Sequence, residues 1–518
     1  MKYLHRFWIA FGVACLPVAA QAEASGFPGV DDPKLAKAID EAMERPKPRF
    51  CEELAPLWAE AAQRSKAPND NLMVMSANAM IMCAVEKERF EDASNLIIRT
   101  EAKFGQQVFF HRLALALHSH LRELDLAVAR VSAISTSNGG ALLTEIDPAI
   151  LHELSRNLLT AKRADLREAM WSSIQASPVF MELDPDVRNG AALNLLDVKA
   201  EAGTLSSADT KLVDLGTSSS PVISILADRR YAPIWTYVEE RAGDGLAKLI
   251  EADLKLNAER YEAKPEESKR LSSLGYSMLQ AGEVSKLIDM TARFRDRNSD
   301  YSQLDEDGAW IVNYMAIALR AQGRQQEGIA ALDKLASLKP ETHPWVVNYV
   351  INHATALGED LQDRAALRSL DRAAPIADRY GSPYARALVA GQRACSHHRL
   401  GQADKAAEQV AVLEGLRADA PNAVIGYAMC AGRDDLAIAW AREALAKDST
   451  RRTMIALLQP AYMQGTPSSV TDQEPYLLLA KSPELASAFD KIARVVPERF
   501  APLGGRVRIV PGSQPRAK

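Results

Sequence analysis

Four cysteines are the residues of this 518-residue chain best suited to chemistry: Cys51, Cys83, Cys395 and Cys430. A fifth, Cys15, falls in an apolar N-terminal stretch. An even set of thiols in an oxidising compartment closes into disulfides. Cys51 lies near the start of a helix expected over about 49–65, and Cys83 near the end of one expected over about 70–86. A turn near Ala67 sets the two level across an antiparallel pair. Cys395 and Cys430 both fall late in the first helices of successive units, which run side by side. The expected pairs are therefore Cys51–Cys83 and Cys395–Cys430, with buried thiols as the alternative. No Cys-x-x-Cys is present, which leaves a thioredoxin-like redox role without support.

The remaining candidates do not converge. His118 and His120 are two residues apart, so on a helix they face different ways and cannot readily share a metal. Helix geometry scatters Cys395-Ser-His-His398 in the same manner, and His152-Glu153 lacks a second histidine. There is no phosphate loop, Gly-x-Gly-x-x-Gly, His-Glu-x-x-His or Gly-x-Ser-x-Gly. No catalytic residue, metal or cofactor is expected. One enzyme class deserves comparison. Lytic transglycosylases use a glutamate followed by serine, with a Gly-Leu-Met-Gln-type motif downstream. Glu267-Ser268 stands inside a repeat-like region with no such domain after it, and Met463-Gln464 is a superficial echo. A general acid also needs a shaped, partly dry pocket to raise its pKa.

The elements that would carry these residues repeat. Shifting the sequence by 35 positions maps Trp310-Ile-Val-Asn-Tyr-Met onto Trp345-Val-Val-Asn-Tyr-Val, Gly323 onto Gly358, and Pro340 onto Pro375. Self-similarity at this period marks a helical repeat, in which each unit buries its apolar face against its neighbours. Apolar residues recur at helical spacing from Trp310, and Gly323 is expected to cap that helix. Gln325 to Ser337 then form a second helix that Pro340 stops.

The spacing Gly323-x4-Gly328, with Leu332 and Pro340 after it, resembles the tetratricopeptide repeat family. Gly401 to Ala406 and Gly432 to Ala437 carry the same Gly-x4-small signature, and Arg89 to Ala93 and Glu123 to Ala127 are looser versions. The resemblance is firm over about 310–447 and weaker over 68–135, and unit lengths vary. It implies an all-α fold, an α-solenoid of stacked antiparallel helix hairpins (a tetratricopeptide-like superhelix). It also implies a concave face lined by first helices, with Asn313, Arg320, Asn348, Asn352 and Asn422 toward a ligand. Asparagine amides can clamp a peptide backbone. The repetition of Asn313 and Asn348 is equally consistent with packing between units.

Met1 to Arg6 is a short basic start, Phe7 to Val18 is apolar, and Ala20-Gln-Ala22 has the small-x-small pattern of a cleavage site. Such a leader reads as a bacterial secretory signal peptide cut after Ala22, and so as a periplasmic product. Lipidation at Cys15 is disfavoured because Gly12 stands where a leucine is expected. No later apolar run approaches the roughly 20 residues that span a bilayer. Of the 62 Lys and Arg, Lys2 and Arg6 fall in the leader, leaving 60 against 67 acidic residues. That balance argues against a nucleic-acid partner.

The expected organisation is a signal peptide at 1–22, helical repeats at 23–216, and tetratricopeptide-like repeats at 217–447. Capping helices follow at 448–496 and a flexible basic tail at 497–518. A break is read at Thr217 to Pro221. Next comes Ala227 to Trp235, taken as a joint with Trp235 buried and Arg229 and Arg230 solvated. The functional expectation is a non-catalytic periplasmic scaffold that binds a protein or peptide. The alternatives are a cell-wall enzyme or its regulatory subunit, and a polysaccharide-binding module using Trp235, Trp310, Trp345 and Trp440. The partner's identity and the oligomeric state are left open.

Overall fold

Asp32 accepts the Lys34 N–H ahead of Pro33, Asp147 accepts that of Ala149 behind Pro148, and Ser482 accepts that of Leu485. Side-chain caps followed by proline at the first helical position start helices at these points. The structure, a computed structural model, describes residues 30–45, 49–65, 70–215, 221–297 and 300–512. The leader with its expected cut after Ala22, Cys15, most of the break before Pro221, and residues 513–518 lie outside them.

The chain divides into two compact units, Met1–Val198 and Lys199–Lys518. The division falls some twenty residues before the expected boundary at 216. The first unit holds α1 (Pro33–Met43), α2 (Ala55–Arg64), α3 (Asp70–Glu86), α4 (Phe90–Phe104), α5 (Phe110–Leu121), α6 (Leu124–Thr136), α7 (Pro148–Thr160) and α8 (Ala164–Gln175). Helix α9 (Pro185–Glu201) runs through the division. Helices α3 with α4, α5 with α6 and α7 with α8 are antiparallel hairpins. Ile81, Ile97, Phe110 and Leu117 belong to one buried cluster shared by the first two.

The second unit opens with α10 (Thr210–Leu215), α11 (Val222–Ala227), α12 (Trp235–Ala242) and α13 (Ala247–Ala263). Hairpins follow: α14 (Ser268–Gln280) with α15 (Val284–Arg297), α16 (Glu306–Ala321) with α17 (Gln325–Ala336), and α18 (Val346–Glu359) with α19 (Asp363–Tyr380). Then come α20 (Pro383–Arg399) with α21 (Ala403–Leu416), and α22 (Pro421–Cys430) with α23 (Asp434–Ala446). First helices pack on the first helix of the next hairpin from α14 to α16, from α18 to α20 and from α20 to α22, and each second helix packs on the first helix that follows it. Helices α24 (Asp448–Leu457), α25 (Leu477–Lys481), α26 (Pro483–Ile492) and α27 (Leu503–Arg506) end the unit, with two short strands, β1 (Ser468–Ser469) and β2 (Arg508–Ile509). The fold is thus an all-α solenoid of stacked antiparallel hairpins, as expected.

One turn joins these hairpins again and again. Gly323 has φ +80°, and the following N–H, that of Arg324, bonds back to the Leu319 carbonyl at 2.9 Å. A left-handed residue followed by a bond five residues back closes the helix end, and glycine enters that region without strain. Gly282, Gly401 and Gly432 occupy the same place, and Glu88, Arg122, Lys162 and Leu361 do so with φ between 56° and 59°. Five residues on, Ala93, Ala127, Gly328, Ala366, Ala406 and Ala437 are all buried. This is the physical content of the Gly-x4-small pattern.

The turns correct the 35-residue register. The structural equivalent of Gly323 is Leu361, not Gly358, which lies inside α18. Likewise Pro340 follows α17, whereas Pro375 is inside α19. The repeat is 38 residues here. A slip of three is close to one helical turn and leaves apolar faces aligned, so self-matching favoured the wrong register. The Trp310 and Trp345 segments still belong to equivalent first helices, and both rings lie against Tyr349 at 5.7 and 5.6 Å.

Residues 497–512 are not a loose tail. Phe500, Ala501 and Ile509 are buried, and β2 pairs with β1 in parallel. The basic residues that suggested solvation have acidic partners instead: Arg499 on Glu239 and Arg508 on Glu474. The Ala227–Trp235 run is where this returning chain attaches. Asp228 bridges Ala493, Arg229 donates to the carbonyls of Asp490 and Ala493, and Arg230 pairs with Asp228. Trp235 donates to the Ile225 carbonyl at 2.8 Å under the Arg494 guanidinium, whose carbon lies 3.6 Å from the ring centre. Arg229 stays exposed, as expected, while its Nε is held by those carbonyls; Arg230 is half-buried on Asp228, and Trp235 is half-buried rather than fully buried.

Candidate functional site

The first helices α18, α20 and α22 run side by side and line an open cavity of about 210 Å³. Two glycines make the space. A methyl on Gly358 would collide with the Gln392 amide, and one on Gly391 with the Tyr427 ring. Small residues at those helix positions let polar side chains from the next helix lie against backbone. The Cys395–Cys430 disulfide forms part of the wall, its Cα atoms 5.0 Å apart. In the first unit Cys51 pairs with Cys83, their Cα atoms 4.5 Å apart. Cys51 stands in a short π-helical turn, Phe50–Leu54, ahead of α2.

The returning C-terminal chain closes one side. Thr471 donates to the Glu359 carbonyl at 3.0 Å, and Asp472 accepts the Ser469 N–H at 2.9 Å. Further along, Gln325 donates to the Val510 carbonyl at 2.6 Å and the Gly512 N–H donates to Asp360. These contacts hold residues 468–473 and 507–512 across the ends of α16 and α18.

The charges in the cavity are unevenly matched. Arg399 is bound to Asp363 through two nitrogens and to the Gly358 carbonyl at 3.0 Å. Glu359 pairs with the buried Arg320. Asp472 sits at the mouth, exposed as a residue but with its carboxyl hemmed in by protein. That loss of water, and then the charge of Glu359, push the carboxyl up to about 7, against the Ser469 N–H, Arg320 and Arg508. Burial also pushes the Tyr427 hydroxyl well above its ordinary range, against its bond with Thr355.

The residues expected on the ligand face separate into groups. Asn422 lines the cavity. Asn313 is buried and accepts from Asn352 at 3.0 Å, tying α16 to α18. Arg320 is buried and spent on Glu359 and Gln325. Asn348 is half-buried on α18. Thr355, Glu359, Gln392, Arg399, Tyr427 and Asp472 were not singled out from sequence. Gly358 and Gly391, interrupting helical runs, were the available signal for them.

Other candidate chemistry is accounted for by packing. Glu267 is half-exposed at the surface, and Arg270 first and then Lys264 hold its carboxyl below the usual range, the reverse of what a general acid needs. His118 bonds Glu123 at 2.7 Å, and His397 bonds Gln402 at 2.6 Å. Among the described residues no three metal-ligating side chains gather, and no helix is long and apolar enough to cross a membrane. Trp440 is buried, and Trp310 and Trp345 pack into the hydrophobic clusters between hairpins.

No family model matches the chain, and no curated protein matches it. Among solved structures it is similar to one titled crystal structure of APC/C hetero-tetramer Cut9-Hcn1, at 11% identity and a TM-score of 0.25. That match covers 82% of this chain and 95% of the other. A likeness of this strength assigns no activity or partner here.

Proposed function

We propose that this chain is an exported helical-repeat scaffold that works in the periplasm by holding a protein partner and does no covalent chemistry. The observation that carries the reading is the face formed by α18, α20 and α22. It gathers amides and the carboxyls of Glu359 and Asp472 around an open cavity, with no activated nucleophile beside them among the described residues. Solenoids of stacked hairpins use such extended inner faces to bind peptides or helices. The leader-like residues 1–22 support export. So does the pairing of the four remaining cysteines, which would be unusual in a reducing compartment.

The test is cross-linked co-purification of the tagged full chain from its own cell envelope, with N-terminal sequencing of the purified product. The reading expects a mature chain beginning at Glu23 and one partner enriched reproducibly. A cytoplasmic, uncut chain would overturn the compartment. Hydrolysis of peptidoglycan that survives repurification and is lost in Glu267→Gln would overturn the non-catalytic role.

A further inference from the structure

Gln392 is only 5% exposed and lines the cavity, and among the described residues its side-chain amide makes no hydrogen bond. Its polar atoms are not among the buried ones left without a partner, so they reach the cavity, and a ligand or water there completes their bonding. Asn422, half-buried across the cavity on α22, likewise makes no side-chain hydrogen bond among the described residues. The cations nearby are committed, Arg399 to Asp363 and Arg320 to Glu359. Asp472 is bonded through Oδ2 to the Ser469 N–H, and among the described residues its Oδ1 accepts no hydrogen bond. The cavity thus presents unsatisfied amides and one carboxylate beyond what its own cations neutralise. At about 210 Å³ it falls below the roughly 300–1,000 Å³ of pockets that enclose drug-sized ligands, and it suits a single side chain.

We propose that this cavity receives the cationic side chain of a lysine or arginine from an extended segment of the partner. The assignment rests on the protein-binding reading above. The ammonium or guanidinium lies against Asp472 at the mouth, and its N–H groups are shared with the carbonyl oxygens of Gln392 and Asn422. The Cys395–Cys430 bridge holds α20 and α22 at the separation the cavity needs.

The experiment is calorimetric titration of the full chain, disulfides intact, with the methylamides of Nα-acetyl-lysine and Nα-acetyl-arginine. The norleucine, citrulline and glutamate analogues serve as controls. The cationic probes are expected to bind about tenfold tighter than the neutral ones, the size of a charge-assisted contact. Asp472→Asn removes most of that difference, and Gln392→Leu and Asn422→Ala each weaken binding. Affinity rises from pH 6 to pH 8 as Asp472 ionises, with Glu359, Arg320 and Arg508 the charged groups that face it. Equal binding of norleucine, preference for glutamate, or unchanged affinity in both Asp472→Asn and Asn422→Ala would overturn the proposal. The latter two positions are not in the core, so both variants fold. If the probes fail while a partner is still captured, this proposal falls and the scaffold reading stands. If no partner is captured, the scaffold reading falls and takes with it the assignment of the ligand to a partner.

Discussion

Asn352 on α18 donates its side-chain amide to Oδ1 of Asn313 on α16 at 3.0 Å. The bond joins first helices of neighbouring hairpins and sits where Asn313 is only 5% exposed. Cutting Asn352 to alanine strands a buried acceptor, at a cost of about 1–3 kcal/mol. Asn313→Ala should cost a similar amount. The double variant should cost less than the sum by about 0.5–1.5 kcal/mol, because the pair is lost only once. Urea unfolding of the four proteins measures this. Strict additivity would mean that the bond adds nothing to the stack.

Gly391→Ala places a methyl where the Tyr427 ring lies. The ring has little freedom to retreat, and overpacking of this kind costs about 1–3 kcal/mol. Gly426→Ala, on α22, meets open space, and the better helix propensity of alanine should make it neutral or stabilising by up to about 1 kcal/mol. Thermal unfolding of the two variants side by side separates them. Equal melting temperatures would contradict the close approach of α20 and α22.

Replacing Cys395 and Cys430 together by serine opens a loop spanning 35 residues. Chain-entropy arguments give a loss of about 3–4 kcal/mol for a loop of that length. The urea midpoint should fall accordingly, and a reductant should lower the wild-type midpoint toward that of the variant. A midpoint indifferent to both would show that the bridge does not restrain the unfolded chain.

His111 is buried in the first unit and accepts a hydrogen bond at Nδ1 from Arg130 at 2.8 Å, while Arg130 pairs with Glu101. Burial and then Arg130 hold the imidazole below its ordinary value, with Glu101 opposing. The folded chain therefore takes up this proton less readily than the unfolded chain, which titrates near about 6.5. Its contribution is whole above about pH 6.5 and is lost as the pH falls through that value toward the lower folded one. Unfolding free energies from pH 5 to 8 should show the decline, with a slope of at most about 1.4 kcal/mol per pH unit from this one proton. His111→Gln should flatten that part of the profile. A variant as acid-sensitive as the wild type would assign the effect to other groups.

Much of the hairpin array was legible because its signals are local. Proline after Asp or Ser, apolar residues at helical spacing, and glycine five residues before a small buried residue each act within one turn of helix. Helix α15 is faint in the sequence because Val284–Arg297 carries charged residues along much of its length and only a narrow apolar stripe, with Leu287 fully buried. The C-terminal chain was misread because its order depends on distant partners. Arg494 meets Glu239 across 255 positions, and Gln325 meets Val510 across 185. No window of sequence shows such pairing. The cavity was hidden for the same reason. Asn422 could be guessed from the repeat, but Asp472 enters from a loop outside it, and Gln392 matters only because Gly358 faces it on the next helix.

The central claim is that the inner face of α18, α20 and α22 holds a partner protein. A photo-crosslinking amino acid placed at Asn422, in cells producing the full chain, tests it most directly. The same probe at Lys405, exposed on the second helix α21, is the control. The account predicts a discrete crosslinked adduct from position 422, identified as one protein by mass spectrometry and absent from position 405. No adduct at 422, or the same adducts at both positions, would contradict it.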